Sequence, residues 1–304
     1  MNASTDSSSS RAIDTRAIER AVRRMAQAAE PPWLHAEAAR RMAEKLPMIR
    51  RTPGAVLQWS GFLGASEALL REAYPQAQQL VVEPALVRRE RAAPTPAPWW
   101  SPRRWAGAAA TAAPLTEEAV TPGSVQLLWS NMALHGHADP TALFAQWHRA
   151  LAVDGFLMFS TFGPGTLAEL RALYRERGWG SPMAEFVDMH DLGDMLVAAG
   201  FADPVMDQEV LRLNWADAAA VLAELRGLGA NADTRRVAGL RTPRWQQRLI
   251  EALQTLGGSD GRPALSFELV YGHAFKAAPR PRVAAHTEVG LDEMRQMVRS
   301  RRGT

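Results

Sequence analysis

The sequence predicts an α/β fold, a parallel sheet with helices on both faces and a helical cap, from three observations. Short apolar runs of strand length alternate with helical patterns, the first run ends in a glycine turn, and the second ends in an acid. Strands separated by helices pair in parallel, and the helices cover both faces of the sheet. At 304 residues, 47% of them hydrophobic, the chain can bury that core as one large domain with an inserted cap.

Residues 1–16 are polar, begin with a Ser-rich stretch and lack periodicity, so they read as a disordered N-terminus. Apolar residues then recur at helical spacing from Arg16 to Met25 and from Trp33 to Leu46, with Pro31-Pro32 breaking the run between them. Gly54 to Trp59 is a strand, Ser60-Gly61-Phe62-Leu63-Gly64 its turn, and Ala65 to Tyr74 a helix. Leu80-Val81-Val82 is a second buried strand with Glu83 at its carboxyl end. Residues 88–122, rich in Pro, Ala and Arg and holding Trp99, Trp100 and Trp105, read as an irregular loop anchored by tryptophan.

The alternation resumes with a strand at Val125 to Ser130, a helix at Thr141 to Leu151 and a strand at Gly155 to Ser160. Trp129, Trp147, Phe156 and Phe159 are core candidates. A helix from Thr166 to Arg177 follows Gly163-Pro164-Gly165, and another runs from His190 to Gly200, whose glycine suits a left-handed cap. Pro204 to Leu213, helices around Ala216 to Leu228 and Pro243 to Leu256, and a strand from Ala264 to Lys276 complete a domain spanning 17–277. Its cap segments are roughly 166–190 and 216–260, and 278–304 form a basic tail.

The absence of cysteine excludes disulfides, thiolate nucleophiles and cysteine metal sites. No stretch approaches the roughly 20 apolar residues that span a bilayer, and the N-terminus lacks an apolar signal core. A cytoplasmic monomer with no membrane partner is expected. The net charge is only +3, yet Lys45 and Lys276 are the only lysines. Arginine grips phosphates and carboxylates through a planar fork, which suits an acidic partner. Nothing resembles a nucleic-acid-binding module, so no nucleic acid is expected.

A nucleotide-type cofactor in such a sheet sits at the carboxyl ends of the strands, where glycines admit its backbone and an acid takes ribose hydroxyls. Gly61, Gly64 and Glu83 have those positions, and Trp59 adjoins them. Ser130 and Asn131 end the next strand, either as ligand groups or as caps of the following turn. His135 and His137 are two apart but lack a third ligand, so a solvated loop and no metal are expected. Asp188 and Asp191 suit the amino end of a helix better than catalysis. A nicotinamide-dependent dehydrogenase fits less well: the turn is not Gly-x-Gly-x-x-Gly, and none of Tyr74, Tyr174 and Tyr271 has lysine four residues on.

Leu128-Trp129-Ser130-Asn131-Met132-Ala133-Leu134 and Asp154 to Leu170, with its Phe162-Gly163-Pro164-Gly165-Thr166, resemble the malonyl-acyl-carrier-protein O-methyltransferase family of biotin synthesis. The likeness continues through Phe186 to Leu192, Leu225 to Asn231 and Phe267 to Lys276, covering roughly 17–277. It implies a Rossmann-like class I methyltransferase that moves a methyl group from S-adenosylmethionine to the free carboxylate of a malonyl thioester, with acyl-carrier protein as acidic partner. Trp59, Gly61, Gly64, Glu83, Ser130 and Asn131 become cofactor-binding candidates, and Arg226 and Asn231 substrate-binding candidates. Such chemistry requires no proton-transfer residue, because the carboxylate is already a nucleophile.

Where the family carries Asp-x-Gly-x-Gly, this chain has Gln58-Trp59-Ser60-Gly61-Phe62, and its adenine-side aspartate has no clear counterpart between Ala106 and Leu115. The aromatic residue expected in the N-terminal lid helix is replaced by Ala26-Gln27-Ala28-Ala29-Glu30. A second reading follows: a catalytically degenerate binding or regulatory module, with Trp59 and Phe62 filling the cofactor space.

Overall fold

The computed structural model describes residues 11–92, 113–239, 241–257 and 261–278. The tryptophans of the 88–122 segment, most of the stretch from Ala106 to Leu115, and all but the first residue of the basic tail lie outside them.

Two helices precede the sheet, α1 (Thr15–Gln27) and α2 (Trp33–Ala43). Asp14 starts α1 by accepting a hydrogen bond from Ala17 N, and Arg236 pairs with the same carboxylate. The segment from Arg11 onward therefore departs from the expected disordered terminus. Arg11 donates to the carbonyl of His135 at 2.8 Å and to that of Glu185, and Ile13 bridges Asp233. Those partners lie more than 120 residues away, beyond the reach of local periodicity.

The sheet contains β1 (Ala55–Trp59), β2 (Gln78–Val82), β3 (Val125–Ser130), β4 (Leu151–Phe162), β5 (Ala202–Asn214) and β6 (Ala264–Phe275), in the order β2-β1-β3-β4-β6-β5. Strands β1 to β4 pair in parallel, as predicted, but β6 runs antiparallel to both β4 and β5. The sheet is thus mixed rather than wholly parallel. Apolar pattern marks a strand without giving its direction, and β5 alternates partly buried and exposed residues, as an edge strand does.

The connections are α3 (Gly61–Gly64), α4 (Glu67–Ala73), α5 (Ala85–Ala92), α6 (Pro140–Ala150), α7 (Ala168–Glu176), α8 (Met189–Ala198), α9 (Ala218–Leu228) and α10 (Pro243–Gln254). Alternation along the strands sends Val56, Leu127, Trp129 and Met158 into one core with α2, whose buried stripe is Leu34, Ala38 and Met42. Leu57, Trp59, Leu128, Leu157 and Phe159 face the other, where Phe144 and Trp147 of α6 and Leu192 and Leu196 of α8 complete it. Each large side chain so buried contributes about 1.5–3 kcal/mol. Asp188 caps α8 through His190 N, and Gly200 follows it at φ +95°, both as predicted.

Candidate active site

Above the carboxyl ends of β1, β3 and β4 lies a cavity of about 690 Å³. The sheet supplies Trp59, Ser60, Met132 and Phe162, α1 supplies Ile18, Val22 and Met25, and α9 and α10 supply Leu222, Leu225, Trp245 and Leu249. Ser60, Met132 and Leu167, which follow β1, β3 and β4, line it at φ +66°, +53° and +53°. Left-handed backbone at a non-glycine residue is costly and gathers where a ligand or reaction needs it.

Glu83 is buried just past β2, off the cavity lining but next to Pro84, which is on it; one carboxylate oxygen accepts a hydrogen bond from Phe62 N and Oε2 lacks any protein partner. Burial, opposed by the Phe62 hydrogen bond and by Arg91, pushes its carboxyl up to about 7. Gly61 lets the turn lie against β2: a Cβ there would meet Val81 Cγ1 at 2.4 Å and Glu83 Oε1 at 3.2 Å. Gly64 has looser surroundings, and its carbonyl accepts from Asn131 Nδ2 at 2.7 Å.

The side chain of Asn131 is otherwise committed too. It donates to the His35 carbonyl at 2.7 Å and accepts from Ser160 Oγ at 2.5 Å, tying α2, the glycine turn and β4 together. It is a positioning residue with no free donor, and its Ser130 neighbour is buried with an unpartnered hydroxyl off the cavity lining. Asn231 lines the cavity, but its amide donates to Ser181 O and accepts from Asp233 N, the bonds of a turn. Arg226 also lines the cavity, exposed, in the last turn of α9.

His135 and His137 turn inward onto the cavity instead of forming a solvated loop, and His35 joins them. Arg11, bonded to the carbonyl between them, pulls the loop in. His35 Nδ1 donates to Leu63 O at 2.8 Å, which leaves Nε2 unprotonated and unpartnered. Burial pushes this imidazole down to about 4 and His135 well below its usual range. The wall they form is uncharged at neutral pH. Among the described residues no group of three or more side chains is suited to a metal ion.

Neither aromatic residue of the altered turn fills this space. Trp59 packs edge-on against Trp147, centroids 6.2 Å apart, and Phe62 lies beneath Arg91, whose Cζ is 3.5 Å from the ring centroid, off the cavity lining.

No family model matches the chain. It is 39% identical over 252 residues to the malonyl-[acyl-carrier protein] O-methyltransferase of Laribacter hongkongensis, covering 82% of this chain and 84% of that protein. The enzyme of the same name from Gallionella capsiferriformans is 37% identical, with 88% and 93% covered. The chain belongs to the malonyl-[acyl-carrier protein] O-methyltransferase family. Among solved structures, the YcgJ protein of Bacillus subtilis shares the fold, with a TM-score of 0.51 at 12% identity over 80% of this chain and 99% of that one.

Within a malonyl-[acyl-carrier protein] O-methyltransferase, the altered turn now has a physical description. Ser60 takes the place of the motif's first glycine while keeping a left-handed backbone, and Gln58 buries an amide with neither atom partnered. Sequence reading missed His35, Glu117 and Met132 on the cavity lining. A lone histidine among Leu34, Ala38 and Met42 on the buried stripe of α2 was the available signal for the first. Glu117 is an acid after Leu115, which bridges Val82 at the outer edge of β2.

Proposed function

We propose that the protein is a cytoplasmic S-adenosylmethionine-dependent O-methyltransferase acting on the free carboxylate of malonyl-acyl-carrier protein, in biotin precursor synthesis. The observation that carries this reading is the 39% identity to a malonyl-[acyl-carrier protein] O-methyltransferase, which runs through 84% of that relative.

The residues present suit the cofactor. Glu83 has a buried oxygen without a protein partner at the end of β2, the position of a ribose-binding acid, and Gly61 admits the close approach of the turn. Glu83 would hold the ribose hydroxyls, and Ser60, Leu63 and Met132 would face the rest of the molecule. When bound, S-adenosylmethionine supplies a methyl group on a positively charged sulfur.

The chain's own contribution is position and solvent exclusion. An acceptor carboxylate arrives as a nucleophile and requires no base, in keeping with histidines held neutral by burial. Apolar walls and uncharged imidazoles strip water from it without neutralising it, and holding it in line lowers the barrier further. Calorimetric titration with S-adenosylhomocysteine tests the reading. Micromolar binding that Glu83→Ala abolishes, together with methyl transfer to malonyl-carrier protein, is expected; no binding at millimolar ligand by folded protein would overturn it.

A further inference from the structure

The cavity lining combines three kinds of surface. Ser60 and the neutral histidines line it beside the sheet, the half-buried and buried Leu222, Leu225 and Leu249 line it from α9 and α10, and two exposed arginines, Arg226 and Arg241, line it where it meets solvent. Among the described residues no acid lies within ion-pairing distance of either, although Glu19 and Glu117 line the same cavity.

Both arginines sit in prepared surroundings. The Arg241 guanidinium stacks 4.3 Å from the Trp245 ring centroid and donates to Trp179 O at 2.9 Å, which fixes its plane and leaves other N–H groups available. Arg226 lies at the end of α9, where Arg24 donates to the carbonyls of Arg226 and Gly229. Arg24 thereby consumes the negative end of the helix and adds a second positive charge beside Arg226. Burial and then the neighbouring Arg226 lower the Arg24 guanidinium.

Such a mouth is poorly placed for the reacting carboxylate. A guanidinium fork would occupy both carboxylate oxygens and stabilise the nucleophile before reaction, and exposed residues cannot keep water away. A malonyl group on a carrier protein hangs from a phosphopantetheine arm with an anion at each end, the carboxylate and the phosphodiester, and an uncharged stretch between. The cavity offers the matching groups: uncharged imidazoles beside the sheet, leucines of α9 and α10, and two exposed arginines. We propose that Arg226 and Arg241 bind the phosphodiester of the phosphopantetheine arm at the mouth of the cavity. The inference rests on the acceptor proposed above and narrows Arg226, a substrate-binding candidate from the sequence, to the phosphate.

The test is calorimetric, with malonyl-4′-phosphopantetheine and malonyl-pantetheine titrated into the full-length protein saturated with S-adenosylhomocysteine. Charge-assisted hydrogen bonds of about 1.5–3 kcal/mol correspond to about a 10- to 100-fold preference for the phosphorylated ligand. In Arg226→Gln/Arg241→Gln that preference is expected to collapse to within about twofold of unity, and Arg226→Lys to retain part of it. An undiminished preference in the double variant, or none in the wild type, overturns the proposal. So does a loss confined to malonyl-carrier protein, which would mean that the arginines read the carrier surface. Methyl transfer by the wild type is measured in parallel: its absence alongside a phosphate preference sinks the proposed reaction alone, whereas transfer without that preference sinks the inference alone.

Discussion

Two glycine turns follow strands of this sheet, and they treat their polar groups in different ways. In the turn after β4, Glu268 on β6 accepts from Gly165 N, Gly163 N donates to the Glu268 carbonyl at 2.9 Å, and Thr166 Oγ1 bonds the Glu268 backbone at 3.0 and 3.1 Å. Glu169 adds two bonds to Ser266, at 2.6 and 3.1 Å. A Cβ at Gly163 or Gly165 would lie 2.6 or 2.3 Å from the Glu268 carboxylate, so both glycines are there to admit it. The turn after β1 is bonded through its backbone too, Ser60 N to Val82 O and Phe62 N to Glu83, but the side chains flanking it differ: Gln58 and Glu83 keep buried atoms without partners, and Ser60 is held left-handed. The first turn meets its needs within the protein, and the second leaves flanking side-chain atoms without a protein partner.

The comparison breaks most visibly at the two glutamates. Glu268→Ala strands the Gly165 amide and is expected to cost about 2–3 kcal/mol of stability in urea unfolding. Glu83→Gln keeps an acceptor for Phe62 N and removes a buried carboxylate, so stability at about pH 8 should hold or rise while affinity for S-adenosylhomocysteine falls about 10- to 100-fold. A matching stability loss in both variants would erase the distinction.

A subtler test uses pH. Because the Glu83 carboxyl is raised to about 7 in the folded protein, above its usual value, its contribution to stability is complete below the usual carboxylate range and is lost as pH rises through about 7. Ligand affinity runs the other way and should climb from about pH 6 to about pH 8, as the oxygen facing a ribose diol ionises. Glu83→Gln should flatten that profile in calorimetry, since burial keeps His35 and His135 neutral over that range. The smallest effect belongs to Ser60→Gly, which relieves left-handed strain and should stabilise the fold by about 1 kcal/mol.

Local pattern made much of this architecture legible. β1, β3 and α6 announce themselves by apolar periodicity, Asp188 and Gly200 by cap chemistry, and Glu83 by its place after a buried strand. Long-range pairing escaped it. Nothing near Asn131 in the chain indicates that its amide serves His35, 96 residues away, and nothing near Gly165 points to Glu268, 103 residues away. Both segments were recognised by resemblance, and both prove to be joints. The direction of β6 was unreadable for the same reason, since its partners and not its composition set it.

The position of β6 also orders events during synthesis. It is the last strand of the sheet to leave the ribosome, yet it lies in the interior, between β4 and β5. Until it arrives, β5 has no strand to pair with and the β4 edge stays open, and the Gly163–Thr166 corner lacks its anchor. A nascent chain that has already built β1 to β4 must therefore keep a sheet edge available, and protected, while about a hundred further residues emerge.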